Sequence, residues 1–113
     1  ASSKSHHVKT YHLPLDYHDM IIYTGFEYSG RNLLLTRSVD ACIIMCGRIG
    51  TLNEFTLAFY HKKPIGILEG SGGITSIAKE ISRICNKVGE KDRIIYEREP
   101  KMLVEKLDNL NNQ

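Results

Sequence analysis

The chain has 113 residues, 42% of them hydrophobic, and 15 basic against 13 acidic residues leave a formal charge of +2. That size allows one compact domain at most, and the scattered Lys and Arg argue against a strongly charged nucleic-acid or membrane-surface binder. No apolar run nears the roughly 20 residues that cross a bilayer, and ASSKSHHVK at the N-terminus lacks an apolar signal core, so a cytoplasmic protein is expected.

Residues 1–19 read as a polar, His-rich segment with room for one short strand at Val8–Leu13 and a loop over Pro14–Asp19. His6, His7, His12 and His18 match no metal-ligand spacing and have no cysteine nearby, so they read as surface or loop histidines, and no metal is expected. From Met20 the pattern becomes regular. MIIYTG, Met20 to Gly25, predicts a strand, and GRNLLLTRSV, Gly30 to Val39, a short helix. ACIIMCG predicts a second strand, apolar on both faces as a strand covered by helices on each side must be. Residues 51–62 then predict a helix with Leu52, Phe55 and Phe59 on one face, closed by Lys62-Lys63-Pro64.

PIGILE predicts a third buried strand. GSGG leads into a helix carrying Ile74, Ile77, Ala78, Ile81, Ile84, Cys85 and Val88 at helical spacing, a stripe read as core. RIIYE predicts a fourth strand, and Pro100 opens a last helix through Met102, Leu103, Leu107 and Leu110 before the polar end NLNNQ frays. Cys42 and Cys46 share a strand, which separates their Cα atoms by about 13 Å, beyond disulfide reach. With Cys85 in a helix, three reduced and buried thiols are expected.

Strands alternating with helices imply an α/β fold, a Rossmann-like three-layer sandwich with a mostly parallel sheet, over residues 20–113. Ligands of such sheets bind beyond the carboxyl ends of the strands. Three loops lie there: Thr24 to Arg31, Cys46 to Glu54, and Glu69 to Ile74.

The second loop, CGRIGTLNE, has two readings. Gly47 and Gly50 permit a tight turn and close approach of a ligand to backbone, and the amides opening the next helix suit a phosphate, with Arg48 as counter-charge. Thr51-Leu-Asn-Glu54 is equally a capping box, in which the Thr51 and Glu54 side chains satisfy each other's amides.

The run G-R-N-L-L-L-x-R-S-x-D-A, an apolar strand, G-x-x-G-T-L-x-E, an apolar helix and K-K-P-I-G-I-L resembles the LOG-like branch of Rossmann-type proteins. That branch includes cytokinin-activating phosphoribohydrolases, often labelled lysine decarboxylases, and relatives resembling molybdenum cofactor carriers. The resemblance spans roughly residues 20–70, with Arg31-Asn32 and Gly50-Thr51-x-x-Glu54 as its specific parts. It implies Arg31 and Glu54 as catalytic residues and Gly47, Gly50 and Thr51 as the phosphate contacts, while Gly25 at its strand end, Asn32 of the Arg-Asn pair and Arg48 in the turn are further ligand-binding candidates. The Arg-Asn pair is nearer the carrier-like relatives than the cytokinin enzymes.

This sequence departs from the family turn in having Gly47-Arg48 where consecutive glycines are usual. The family domain also begins with a glycine-rich βαβ unit that nothing before Val8 encodes, so the chain resembles the later two-thirds of that domain. The implied function is binding of a nucleoside 5′-monophosphate or similar phosphorylated ligand, with hydrolysis of its N-glycosidic bond if the chain is an enzyme; neither metal nor cofactor is needed. A non-catalytic binding or carrier domain, or a structural remnant completed by another chain, is the alternative. The family forms dimers, which implies a homodimer here through the exposed aromatics of the helix from Thr51 to Lys62, and a sheet edge left open invites a second chain.

Elsewhere, Glu69-Gly-Ser-Gly-Gly73 reads equally as a ligand-closing loop or a linker, and Arg37 and Asp40 as a local salt bridge or a helix-end contact. Tyr23, Tyr28 and Tyr60 read as packing residues before base-stacking ones. Neither a G-x-S-x-G elbow nor a G-x-G-x-x-G fingerprint is present, which argues against nucleophilic hydrolysis and NAD redox chemistry.

Overall fold

The computed structural model describes residues 16–86 and 93–112. In chain order it contains α1 (Tyr28–Arg37), β1 (Cys42–Ile44), α2 (Ile49–Tyr60), β2 (Ile65–Leu68), a 3₁₀ turn (Gly73–Ser76), α3 (Ala78–Cys85), β3 (Ile94–Glu97) and α4 (Pro100–Asn111). The three strands are parallel in the order β1-β2-β3, an α/β fold of the Rossmann-like kind.

The register explains the layers. Cys42, Ile65 and Ile94 lie side by side, as do Ile44, Ile67 and Tyr96 two residues on, so alternation places both rows on one face. These rows meet Phe55 and Ala58 of α2, Ile74 of the 3₁₀ turn and Ala78 of α3, forming the main core with Leu52, Phe59 and Ile81 at its margin. Burying each large apolar side chain there contributes about 1.5–3 kcal/mol. The intervening row, Ile43, Gly66 and Ile95, faces the other way. There a Cβ on Gly66 would lie 2.9 Å from Leu103 Cδ1 and 3.3 Å from Leu107 Cδ2, so the missing side chain lets α4 pack directly on β2.

Local chemistry sets the boundaries. α2 stops because Lys62 adopts φ 57°, after which its amide bonds to the Phe59 carbonyl and the Lys63 amide to the Ala58 carbonyl, closing the last turn. α4 starts as expected at Pro100, with the Glu99 carboxylate accepting from the Met102 amide at 2.7 Å. Glu97 ties that turn down: it accepts from the Arg98 amide at 3.0 Å and from Lys106 Nζ at 2.6 Å, contacts that hold its carboxyl below the usual range.

Several expectations are corrected. Met20–Gly25 is no strand but an extended segment with a single bridge residue at Tyr23, so the described sheet has three strands rather than four. Apolar composition alone does not force pairing, and Met20, Ile22 and Tyr23 all stay exposed. β1 is not covered on both faces either, since Ile43 keeps 42% of its surface open. In the α3 region the buried positions are Ile74, Thr75, Ala78 and Ser82, while Ile77, Ile84 and Cys85 face outward, so the apolar stripe is wider than the core contact.

All three cysteines are free, but only Cys42 is part-buried; Cys46 and Cys85 are exposed. The expected Arg37–Asp40 salt bridge is missing from the ion pairs of the described residues. Instead Lys63 Nζ donates to the Val39 carbonyl at 2.8 Å, holding the corner before β1. The suggested strand at Val8–Leu13, His6, His7, His12 and Val88 lie outside the described residues. No described helix is long and apolar enough to cross a membrane.

Candidate functional site

Parallel strands send β1 and β2 out at the same sheet end, where α2 and the 3₁₀ turn begin. The chain reverses at Cys46 and Gly47, both left-handed at φ 47° and 86°. Glycine is obligatory at Gly47 for a second reason: a Cβ there would lie 2.3 Å from the Thr51 side chain. At Gly50 a Cβ would meet nothing within 4 Å, so this position opens to space.

With the turn completed by Gly47, α2 starts at Ile49, two residues before the predicted Thr51. This removes the capping box. Thr51 is the third helical residue, the N-cap position is Arg48, and no side chain caps the helix. The first helical amide with a backbone acceptor is Leu52, bonded to the Arg48 carbonyl at 2.9 Å. Ahead of it, the amides of Ile49, Gly50 and Thr51 open the helix with no acidic residue in the first turn. That end carries roughly half a positive charge.

The second half of the site comes from α1. Asn32 is only 4% exposed, and its side chain lies 3.0 Å from the Asn53 amide. An amide's oxygen and nitrogen are assigned from their partners. With both side-chain amides turned over, Asn32 Nδ2 donates to Glu54 Oε1 at 3.1 Å and to the Tyr28 carbonyl at 3.2 Å, and Asn32 Oδ1 accepts from the Asn53 side-chain nitrogen at 3.0 Å. The Asn32 side chain is thus packed between α1 and α2, against Glu54 and Asn53. Thr36, buried one turn on, donates to the Asn32 carbonyl at 2.7 Å. Glu54 itself is half-buried.

The other expected residues divide. Arg31 lies 4.5 Å over the Tyr28 ring, and no ion pair joins it to Glu54 among the described residues. Arg48 is exposed at the helix N-cap, beside the turn rather than filling it. Gly25 is left-handed at φ 74° in the loop before α1, with open space where its Cβ would be. The arrangement therefore joins Gly47 with Thr51 and Asn32 with Glu54.

Sequence reasoning missed the residues joining the second and third loops. The Cys46 amide donates to Ser71 Oγ at 2.9 Å, and Ser71 donates in turn to the Leu68 carbonyl at 2.6 Å. The Ile74 amide donates to the Gly47 carbonyl at 3.1 Å. The only hint was Glu69-Gly-Ser-Gly-Gly73 itself, which reads equally as a ligand-closing loop or a linker. Among the described residues no three His, Cys, Asp or Glu side chains gather as metal ligands would.

No curated protein and no solved structure matches the chain. The sequence model of the SLOG cluster4 family, by contrast, matches residues 1–104. The SLOG superfamily includes LOG-like, Rossmann-like proteins, so the resemblance holds at this coarser level and points broadly to nucleotide-related ligands. With its parallel α/β core and a match over nearly its whole length, this chain belongs to the SLOG cluster4 family.

Proposed function

We propose that the chain binds a nucleoside 5′-monophosphate or a similar phosphorylated ligand, with the phosphate on the first turn of α2. The observation that carries this reading is the uncapped start of α2 at Ile49, behind a left-handed Gly47 and next to the open position at Gly50. Three amides and the helix dipole favour a dianion there, and Arg48 supplies an exposed counter-charge. Glu54 lies three residues beyond Thr51, about 4.5 Å along the helix axis, where its carboxylate serves the sugar rather than the phosphate.

On this reading hydrolysis of the N-glycosidic bond is the reaction the site can perform. Departure of the base leaves positive charge on the ribose, which a carboxylate held by Asn32 stabilises while it orients water. The stacking of Arg31 on Tyr28 favours a second reading, binding without turnover, because the arginine that should face Glu54 is engaged elsewhere. Base release from a panel of nucleoside 5′-monophosphates, by wild type and Glu54→Gln, separates the two. Release abolished in a variant of unchanged melting temperature makes Glu54 catalytic. Without release, a rise in melting temperature on adding nucleotide supports binding alone, and no rise contradicts both.

Association with a second chain, a homodimer first of all, belongs to the same proposal. β1 pairs only with β2 among the described strands, and Leu33, Leu34 and Leu35 of α1 are exposed together. On α2, Ile49 and Tyr60 are exposed whereas Phe55 is fully buried, so both helices offer apolar surface to a second chain. A cytoplasmic, reducing location fits three free cysteines.

A further inference from the structure

Resting on the phosphate reading above, we infer that the Ser71–Ile74 segment is a clasp that sets the phosphate turn, with Ser71 as a positioning residue that never touches the ligand. Thr51 is the third helical residue, so its amide has no acceptor inside the helix, and the carbonyl just ahead of the N-cap is that of Gly47. Here that carbonyl is turned to the Ile74 amide at 3.1 Å, on the side of β2. That bond does two things: it keeps the Gly47 carbonyl off the open first-turn amides, and it aims a carbonyl dipole that would repel an anion away from the turn.

Ser71 fixes the preceding residue. Its Oγ accepts from the Cys46 amide at 2.9 Å while its proton goes to the Leu68 carbonyl at 2.6 Å. Cys46 is thereby held at φ 47°, a conformation that costs a non-glycine residue and needs support from its surroundings. Contact between the loops is as close as backbone allows: a Cβ on Gly73 would lie 2.3 Å from the Gly47 carbonyl oxygen and 2.6 Å from the Cys46 carbonyl carbon. Thr75 locks the far side, donating from Oγ1 to the Gly72 carbonyl at 2.6 Å. GSGG is therefore neither a free linker nor a lid in this arrangement but the back wall of the turn.

The test is amide NMR of the full chain titrated with adenosine 5′-monophosphate and, separately, with adenosine, for wild type, Ser71→Ala and Ser71→Thr. In wild type the monophosphate should shift the Gly50 and Thr51 amides. Ser71→Ala should weaken the monophosphate about tenfold, the worth of roughly one hydrogen bond, shrink the Thr51 shift and leave adenosine binding unchanged, and Ser71→Thr should restore both effects. A Ser71→Ala protein that binds the monophosphate as wild type does, or loses both ligands equally, overturns the clasp. If wild type shows no monophosphate shift at these amides, the phosphate reading itself fails and the clasp with it, a result visible before any variant is compared. Gly73→Ala, whose Cβ must push the loops apart, serves as a second variant and should lose the same Thr51 shift; its retention counts against the clasp.

Discussion

Helices α1 and α4 follow opposite rules. α4 buries Leu103 and Leu107 against Gly66, opens on Pro100 and is capped by Glu99. α1 buries Asn32 and Thr36 and leaves Leu33, Leu34 and Leu35 part-exposed, with no side chain capping it. In α4 local propensity, apolar pattern and packing agree, and its job is to hold the sheet. α1 turns its buried residues toward α2, with Asn32 against Glu54, and its leucines outward. Disagreement between pattern and packing is expected where a site is supported rather than where a core is built.

The largest effect that sharpens this contrast lies in α4. Leu103→Ala should lower stability by about 2–5 kcal/mol in denaturant unfolding, as for other buried leucines, with ligand affinity following only the folded fraction. Gly66→Ala tests the same contact from the other side, and its Cβ against Leu103 Cδ1 should cost about 1–3 kcal/mol. Asn32→Ala should be milder for stability, about 1–2 kcal/mol, yet should lose any reaction that depends on Glu54. If Asn32→Ala instead behaves as a plain core deletion, destabilising with activity per folded molecule intact, α1 is an ordinary helix and the contrast collapses.

Smaller still is Leu34→Gln, expected within about 0.5 kcal/mol for an exposed position. Light scattering should nonetheless show weaker self-association. The smallest effect concerns thiols. Burial pushes the Cys42 thiol up and Glu54 adds to this, while Lys63 opposes it. Less of it is thiolate at any pH near neutrality, so alkylation should modify Cys42 after Cys46 and Cys85, with its rate rising only at higher pH. Glu97 acts in the opposite sense at acid pH. Because its folded carboxyl titrates lower than when unfolded, its contribution is complete above the ordinary glutamate range and disappears as pH falls through the lowered value.

Where sequence and packing agree, the fold was legible in the residues. Short apolar runs found β2 and β3 and helical spacing found α4, and Pro100 located the start of α4 to the residue. α1 and Met20–Gly25 were harder for one reason: apolar residues there are not buried, so hydrophobic spacing reports something other than core. The site was half legible. The residue types at Gly47, Thr51 and Glu54 were visible, but the helix start at Ile49 was hidden because Thr-x-x-Glu imitates a cap. The Ser71–Cys46 and Asn32–Glu54 contacts join residues more than twenty positions apart, and no local pattern encodes such pairs.

The most direct measurement of the central claim is calorimetric titration of the wild-type chain with adenosine 5′-monophosphate against adenosine under identical conditions. A phosphate seated on the open first turn of α2 predicts that the monophosphate binds at least about tenfold more tightly, the equivalent of one charge-assisted contact. Equal affinities, or binding of neither, would contradict a phosphate site at Gly47–Thr51.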